Sequence, residues 1–191
     1  MPAPARTSTA AIVDAARRVL EAEGTAAVTM QRVATEVGVK APSLYKRIRD
    51  HADLMHRLSN DIATELADQL DAVEAGVDTD GEERLAVLAD TFRRWAHRFP
   101  QSYSLLTSAV PDDWRADQEI NNRTSAAILR EVQALTGEAK ALDAARTVVA
   151  FVTGFVSLEL AGGFRMGGDP STAYRYGINA LVKALSSRTK G

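Results

Sequence analysis

The sequence predicts an all-α protein with a small basic N-terminal module and a larger acidic body. Apolar residues recur at helical spacing along the chain, and no convincing alternating strand pattern or internal repeat interrupts them. Residues 1–57 hold nine basic and six acidic residues, a net charge of +3, whereas the other 134 residues hold 14 basic and 19 acidic, a net charge of −5. We therefore predict two domains, residues 1–50 and 51–191, and the basic head suggests a polyanionic partner.

Composition excludes several classes of site. The 191 residues include no cysteine and only three histidines, so a disulfide scaffold, a thiolate zinc finger and a cysteine nucleophile are ruled out. His51 and His56 are five residues apart, which misses the i, i+4 spacing of two metal ligands on one helix face. We expect no metal, no cofactor, no catalytic residues and no enzymatic activity.

The chain also lacks the patterns of secretion and membrane insertion. Its first residues contain no apolar core of a signal peptide. The most apolar stretch, Thr147 to Leu158, has twelve residues and falls short of the roughly 20 that cross a bilayer. We expect a cytoplasmic protein with no membrane partner.

Four helices are predicted in the first part of the chain. Residues Thr7 to Glu23 have helical periodicity and stop at Gly24, and a second, short helix follows the N-cap residue Thr29 and ends at Gly38. Pro42 suits the first turn of a third helix that runs to about Ile48. Asp50 or His51 opens a long fourth helix whose leucines and isoleucine repeat every four residues: Leu54, Leu58, Ile62, Leu66 and Leu70.

Five more helices are predicted downstream, because glycine, proline and aspartate interrupt the helical periodicity at intervals. They are Glu82 to Phe99, Gln101 to Ser108, Asp113 to Thr136, Glu138 to Leu160 and Pro170 to Ser187.

The second and third helices have the spacing of a helix-turn-helix. Ala34 is small enough for two helices to approach, Gly38 makes the turn, and Val39 and Leu44 close a small core. A recognition helix in the major groove needs short polar groups and cations, which are supplied by Lys40, Ser43, Tyr45, Lys46 and Arg47. Spacing alone leaves open a helical hairpin with solvated charges.

The residues in this region resemble a known family. Gly24 and Thr29 are followed by Val-Ala, Val-Gly-Val and Pro-Ser-Leu-Tyr, and then by Asp-x-x-Asp-Leu from residue 50. This pattern resembles the N-terminal DNA-binding domain of the TetR family of transcriptional regulators over about the first 60 residues. Three positions depart from the family: Lys40 replaces a small polar residue, Ile48 an aromatic residue and His51 a lysine.

The resemblance implies DNA contacts on the second and third helices and at the start of the fourth. Thr29 and Gln31 would be second-helix contacts, and Lys40, Ala41, Pro42 and Ser43 would face base edges. Tyr45 would bond a phosphate, Lys46 and Arg47 would add backbone or base contacts, and His51 would contact a phosphate that it holds less well when neutral.

The resemblance also implies that the last two helices form a homodimer and that the body holds an effector pocket. Residues 147–158 are apolar nearly all round, which requires burial on more than one face. Small residues on the last helix, including Ala173, Gly177 and Ala180, would let another helix approach. A dimer would read a palindromic operator in double-stranded DNA. The alternative is that both helices complete the core of a monomer.

Aromatic residues in the body predict the position of this pocket. The candidate lining residues are Trp95, Phe99, Tyr103, Phe151, Phe155 and Glu159. A stripe such as Phe92, Trp95 and Phe99 is more often core than ligand site. Glu159 lies between two leucines and needs a partner, which could be an arginine, a tyrosine hydroxyl or a ligand. His97 is expected to be a packing or surface histidine.

The sequence therefore predicts a sequence-specific DNA-binding transcriptional regulator, a homodimeric repressor released by an unknown small-molecule effector. One alternative is an all-α small-molecule-binding protein or enzyme that does not bind DNA. Another is a helical adaptor, whose activity would survive changes at Tyr45 or Lys46.

Overall fold

The computed structural model describes residues 8–76 and 81–186, and this part of the chain is helical without a strand. It contains eight α-helices: α1 (Thr9–Glu23), α2 (Met30–Val37), α3 (His51–Gly76), α4 (Gly81–Arg98), α5 (Pro100–Thr107), α6 (Gln118–Thr136), α7 (Glu138–Leu160) and α8 (Pro170–Ser186). Three 3₁₀ helices span Thr25–Ala27, Ala41–Lys46 and Asp112–Trp114. The all-α prediction is confirmed, while the predicted ends at Thr7 and Ser187 lie outside the described residues.

Two predicted helices differ from the structure. The third helix is a short 3₁₀ helix, Ala41–Lys46, rather than an α-helix that runs to Ile48. Helix α6 begins at Gln118 instead of Asp113, because the backbone N–H of Asp117 donates to the Asn60 side chain at 2.8 Å and the preceding residues form a separate turn. Composition at both places favoured a helix, and for α6 a tertiary contact decided where the helix begins.

The chain divides into two compact units. Unit 1 comprises Met1–Glu65 and Phe99–Asn121, and unit 2 comprises Leu66–Arg98 and Asn122–Gly191. Unit 1 thus contains α5 and the 112–114 turn as well as the N-terminal helices. The division between residues 50 and 51 that the sequence suggests stays a prediction about the domains.

In unit 1, α1 packs against both α2 and α5. Ile12 and Leu20 of α1 are fully buried, as are Leu44, Ile48 and Leu54. The α5 side of α1 is polar: the Glu21 carboxylate accepts the backbone N–H groups of Ser102 at 2.8 Å and Gln101 at 3.3 Å. Glu21 therefore caps the N-terminus of α5, whose own N-cap residue makes no side-chain bond.

In unit 2, α4, α7 and α8 pack against one another. Tyr174 of α8 is fully buried, and its hydroxyl donates to the Ala89 carbonyl of α4 at 2.8 Å. On α7, Val148, Val152 and Val156 face this core at helical spacing. The last helix thus contributes to the core of its own chain through Tyr174, Ile178 and Val182.

Helix α7 leaves most of its apolar surface uncovered. It has 23 residues and is by length and composition apolar enough to cross a membrane, contrary to the expectation from the twelve-residue stretch within it. Only 28% of its most apolar 18-residue window is buried in the chain. The core helix of a soluble protein passes the same test. Glu159 near its C-terminus forms an ion pair with α4, as described below, so that part of α7 packs against protein.

Candidate nucleic-acid interface

Helix α2 is fixed at both ends by its own sequence. At the N-terminus the Thr29 hydroxyl accepts the backbone N–H of Arg32 at 3.1 Å, as an N-cap threonine should. At the C-terminus Gly38 adopts the left-handed conformation, with φ of 80°, and the Val39 N–H donates to the Ala34 carbonyl at 2.9 Å. The buried Val33 and Ala34 hold the helix against unit 1. The predicted N-cap, turn and small core of a helix-turn-helix are present.

The recognition segment, which we define as Ala41–Lys46, follows this turn. Leu44 within it and Ile48 just after it are fully buried and anchor it to unit 1. Lys40 precedes the segment without a side-chain cap, and Pro42 lies in its first turn, where the missing N–H costs least. Burial of two residues on one side leaves the other side chains to face outward.

The structure exposes most of the side chains for which DNA contacts were predicted. Tyr45 is 55% exposed, a large fraction for an aromatic ring. Thr29, Gln31, Lys40, Pro42, Lys46 and Arg47 are also exposed, whereas Ala41 and Ser43 are half-buried. The same short stretch therefore presents hydroxyl, amide and cationic groups to solvent.

Charge pairing separates two sets of cations in this unit. Arg32 of α2 pairs with Glu23 at 2.7 Å and with Glu36 at 3.1 Å, and Arg18 pairs with Glu36 at 3.1 Å. Hydrogen bonds from Arg18 and Arg32 hold the pKa of the Glu36 carboxyl below its usual range. These arginines are already paired with carboxylates of the same unit, so they are less available to a polyanion.

The cations in and directly beside the recognition segment have no such neutralising partner. Across residues 8–76 and 81–186, no carboxylate pairs with Lys40, Lys46 or Arg47. Arg49, just beyond the segment, bonds the Asp50 carboxylate at 2.9 Å. Three unneutralised cations beside an exposed tyrosine make this surface a suitable site for phosphate groups.

His51, the last predicted contact, is engaged within the chain. Its Nε2 lies 2.7 Å from the Val28 carbonyl, which can only accept, so Nε2 donates. The ring also meets Trp114 edge-on, with centroids 5.2 Å apart and an interplanar angle of 79°. The sequence could not reveal this contact, because Trp114 is 63 residues away and no spacing rule connects it to His51.

The predicted pocket residues fall into separate groups. Phe99 and Tyr103 belong to unit 1, where the Phe99 ring lies 4.9 Å from the Arg17 guanidinium and Tyr103 is buried. Trp95 is buried in unit 2 with its ring 6.3 Å from that of Phe92. Phe151 and Phe155 pack against Tyr174, at 6.0 and 5.3 Å between ring centroids.

Glu159 has a partner, as the sequence required, and of the three kinds left open it is an arginine. Arg93 donates to both of its carboxylate oxygens, at 2.8 and 2.6 Å, and His97 Nε2 lies 3.0 Å from one of them. Burial alone would raise the pKa of Glu159, but the hydrogen bonds from Arg93 and His97 outweigh it and lower that pKa. Arg93 also donates to Ser171 and lies over the Tyr174 ring, so the pair connects α4, α7 and α8.

Family models of known proteins match both the N-terminal and the C-terminal part of the chain. Residues 12–58 match the family model for bacterial regulatory proteins of the tetR family, and residues 85–181 match the model for the tetracyclin repressor-like C-terminal domain. An uncharacterized HTH-type transcriptional regulator of Mycobacterium tuberculosis is 31% identical over 162 residues, which cover 83% of this chain and 73% of that protein.

Solved structures show the same fold. The regulatory protein SCO4313 is 28% identical and superposes with a TM-score of 0.75, over 94% of this chain and 95% of its own. BioQ, solved with its natural double-stranded DNA operator, is 21% identical with a TM-score of 0.66, over 94% of this chain and 98% of its own.

Proposed function

The chain belongs to the TetR family of transcriptional regulators and is a DNA-binding regulator, and from this premise we propose that it is a homodimeric repressor that a small-molecule effector releases from a palindromic operator. The observation that carries the operator-binding part is the recognition segment with its exposed Tyr45 and the unneutralised cations of Lys40, Lys46 and Arg47. The shared fold with BioQ, which binds a double-stranded operator, supports the same mode of binding.

We assign the contacts by what each group can bond. Lys40, Ala41, Pro42 and Ser43 face base edges, where a lysine or hydroxyl reads donors and acceptors and the apolar groups read a thymine methyl. Tyr45, Lys46 and Arg47 bind phosphates, together with Thr29 and Gln31 on α2. The base contacts give sequence preference, and the phosphate contacts give an affinity that falls with salt.

The uncovered apolar surface of α7 and α8 supports the proposed homodimer. Leu142, Val149 and Leu158 of α7 and Tyr176 of α8 are between 42% and 77% exposed in the single chain. Gly154 lies in the middle of α7, and a Cβ added there would meet no atom of this chain within 4 Å. Glycine in a helix interior costs about 1 kcal/mol. A second chain whose helix approaches closely at Gly154 explains both features.

We propose that the effector site lies in unit 2, beside the Arg93–Glu159 pair, where aromatic rings cluster. Phe151, Phe155, Tyr174 and Phe164 pack with ring centroids 4.6 to 6.0 Å apart. Phe164 is 42% exposed and belongs to the glycine-rich connection between α7 and α8. We propose an apolar effector that displaces Phe164 from Phe155. The predicted roles of Trp95, Phe99 and Tyr103 stay predictions.

Selection of bound duplexes from a random pool tests the operator. The expected result is a palindrome whose half-sites are centred about 10 base pairs apart, or a multiple of that. This duplex and a scrambled one should then be titrated at two salt concentrations. The affinity for both duplexes should fall steeply with salt. The palindrome should be preferred by at least about 10³-fold. Weak binding that is blind to sequence, with and without candidate effectors, would contradict the proposal.

A screen for effectors tests the release. Apolar compounds that raise the melting temperature of the protein should also lower its affinity for the selected operator, because an effector of a repressor favours the form that does not bind DNA. Phe155→Ala should weaken both responses to the same compound. A compound that stabilises the protein equally with and without Phe155 would place the effector elsewhere.

A further inference from the structure

The segment from Asp112 to Asp117 is fastened to the first turns of α3, within unit 1. Trp114 meets the His51 ring edge-on at 5.2 Å. The Arg115 carbonyl accepts from His56 Nδ1 at 2.7 Å. The Asn60 side-chain amide donates to the Asp117 carboxylate and accepts from the Asp117 N–H, both at 2.8 Å. Three successive contacts thus hold this segment, which includes the 3₁₀ helix Asp112–Trp114, against the helix that follows the recognition segment.

The contact between Trp114 and His51 is linked to a residue outside α3. The His51 ring has Trp114 on one side, and its Nε2–H donates to the Val28 carbonyl at 2.7 Å. Val28 is buried and directly precedes Thr29, the N-cap of α2. His51 is therefore the only link on this path between Trp114 and the beginning of α2.

The start of α2 matters because the recognition segment is joined to the end of the same helix. Only Gly38, Val39 and Lys40 separate α2 from Ala41, and the Val39 N–H is bonded to the Ala34 carbonyl. A shift of Val28 therefore moves Thr29, which we assign to a phosphate of the DNA. It also moves the recognition segment relative to α3. Hydrogen bonds to bases and phosphates weaken steeply with distance and angle, so a small shift lowers the affinity for the operator.

We propose that Trp114 and His51 are a positioning pair for operator recognition. Trp114 holds the imidazole, the imidazole holds Val28, and Val28 fixes the start of α2. His51 acts through Val28 and not through a phosphate. Trp114 lies outside the recognition segment, and it controls DNA affinity through His51. This inference rests on the proposed operator binding, and it replaces the phosphate contact predicted for His51.

Operator titration of variants at several salt concentrations tests the pair. Trp114→Ala and His51→Ala should each lower operator affinity about tenfold, which is about 1.4 kcal/mol, with unchanged salt dependence. A phosphate contact at His51 would instead reduce the slope of log K against log salt by about 0.9 per chain. His51→Gln keeps an N–H donor and should retain most of the affinity, and Trp114→Phe should lie between the parent and Trp114→Ala.

The double variant and a matched control separate this pair from general destabilisation. Because both residues act on one path, Trp114→Ala with His51→Ala should cost little more than either change alone. His56→Ala loosens the same segment without touching Val28 and should stay within about twofold of the parent. Equal losses for His56→Ala, or additive losses in the double variant, would overturn the proposal.

Hydrogen exchange gives a measurement that does not need DNA. Trp114→Ala and His51→Ala should speed amide exchange at residues 29–33, while His56→Ala should not. Unchanged exchange there would refute the pair even if no operator is found. If Tyr45→Phe weakens binding and the Trp114 and His51 variants do not, the pair is wrong and operator binding stands. If the parent selects no operator but exchange changes as expected, operator binding is wrong and the pair positions α2 for another purpose, which refutes its assigned role in recognition.

Discussion

At the scale of single residues, the recognition segment combines groups that read bases with groups that bind the backbone. Ser43 is half-buried between Pro42 and the fully buried Leu44, while Tyr45 projects with 55% of its surface exposed. A short hydroxyl close to the backbone of the segment suits a base edge, and a long phenol suits a phosphate. Different consequences are therefore expected when each hydroxyl is removed.

Tyr45→Phe should weaken binding to all sequences, and Ser43→Ala should mainly change the preferred sequence. Loss of one phosphate bond lowers the affinity about tenfold per chain, and so about 100-fold for the proposed dimer, for operator and scrambled duplex alike, since a hydrogen bond to a charged group contributes about 1.5 kcal/mol. Titration on both duplexes measures this, and a repeated selection measures the preference of Ser43→Ala. The assignment of the recognition segment is wrong if both variants bind as the parent does.

The Glu159 pair predicts how stability depends on pH. The pKa of this carboxyl is lowered in the folded chain, so the ionised form stabilises unit 2 fully above the ordinary glutamate pKa of about 4.3 and this contribution is lost as the pH falls through the lowered value. Glu159→Gln should cost about 2 kcal/mol of unfolding free energy at pH 7, because Arg93 is left without its carboxylate. Denaturant titrations at pH 7 and pH 3 measure this, and the difference between parent and variant should shrink at pH 3.

The candidate site could be predicted from local sequence as far as its residues are neighbours in the chain. Thr29 as N-cap, Gly38 as left-handed turn and the outward-facing Tyr45 and Lys46 all depend on spacing within twenty residues. The sequence could predict that Glu159 needs a partner but not which group supplies it, because Arg93 is 66 residues away. The contact between His51 and Trp114 has no local sign at all.

At the scale of helices, the sequence predicted the elements whose ends carry caps. Helix α7 begins after Gly137 and ends at Leu160 as expected, since glycine with φ of 77° precedes it. The start of α6 depends instead on the contact between Asn60 and Asp117. Periodicity gives no information on such contacts, so the errors lie where tertiary bonds replace local ones.

Glycine at position 177 lets α8 pack on α7. A Cβ there would clash with Cζ of Phe151 and lie 2.7 Å from its Cε2, and the Phe151 ring stacks on Tyr174. Gly177→Ala should therefore destabilise the protein by about 1–3 kcal/mol in chemical unfolding, although alanine favours a helix by about 1 kcal/mol. In a Phe151→Leu background the clash is relieved, and the same change should be neutral or stabilising. Equal losses in both backgrounds would show that the ring is not the cause.

At the scale of the whole molecule, the apolar face of α7 distinguishes the single chain from the proposed dimer. A single chain exposes Leu142, Val149 and Leu158, and the proposed dimer covers them. Burial of apolar surface contributes about 25 cal/mol per Å², so covering these side chains favours the proposed dimer over the single chain. Because two recognition segments are needed for a palindrome, dimerisation and operator affinity should fall together.

Gly154→Arg should convert the protein to monomers. The arginine fills the open space beside α7 that we assign to the second chain, and it puts a charge into an apolar contact. Sedimentation velocity measures the mass, and Ala134→Arg on the exposed side of α6 is the matched control, expected to remain dimeric. A Gly154→Arg protein that sediments as the parent does would exclude this face from the interface, and an Ala134→Arg monomer would implicate α6.

The exposed α7 face also has a genetic consequence. Consider a cell that carries one intact and one altered copy of the gene. Chains with a damaged recognition segment but an unchanged α7 still dimerise with intact chains. Each such mixed dimer has only one intact recognition segment. At equal expression three quarters of all pairs, roughly, would then be inactive by random association. Alleles altered in the recognition segment should therefore be dominant. Alleles altered at Gly154 should be recessive, because their products do not dimerise with intact chains.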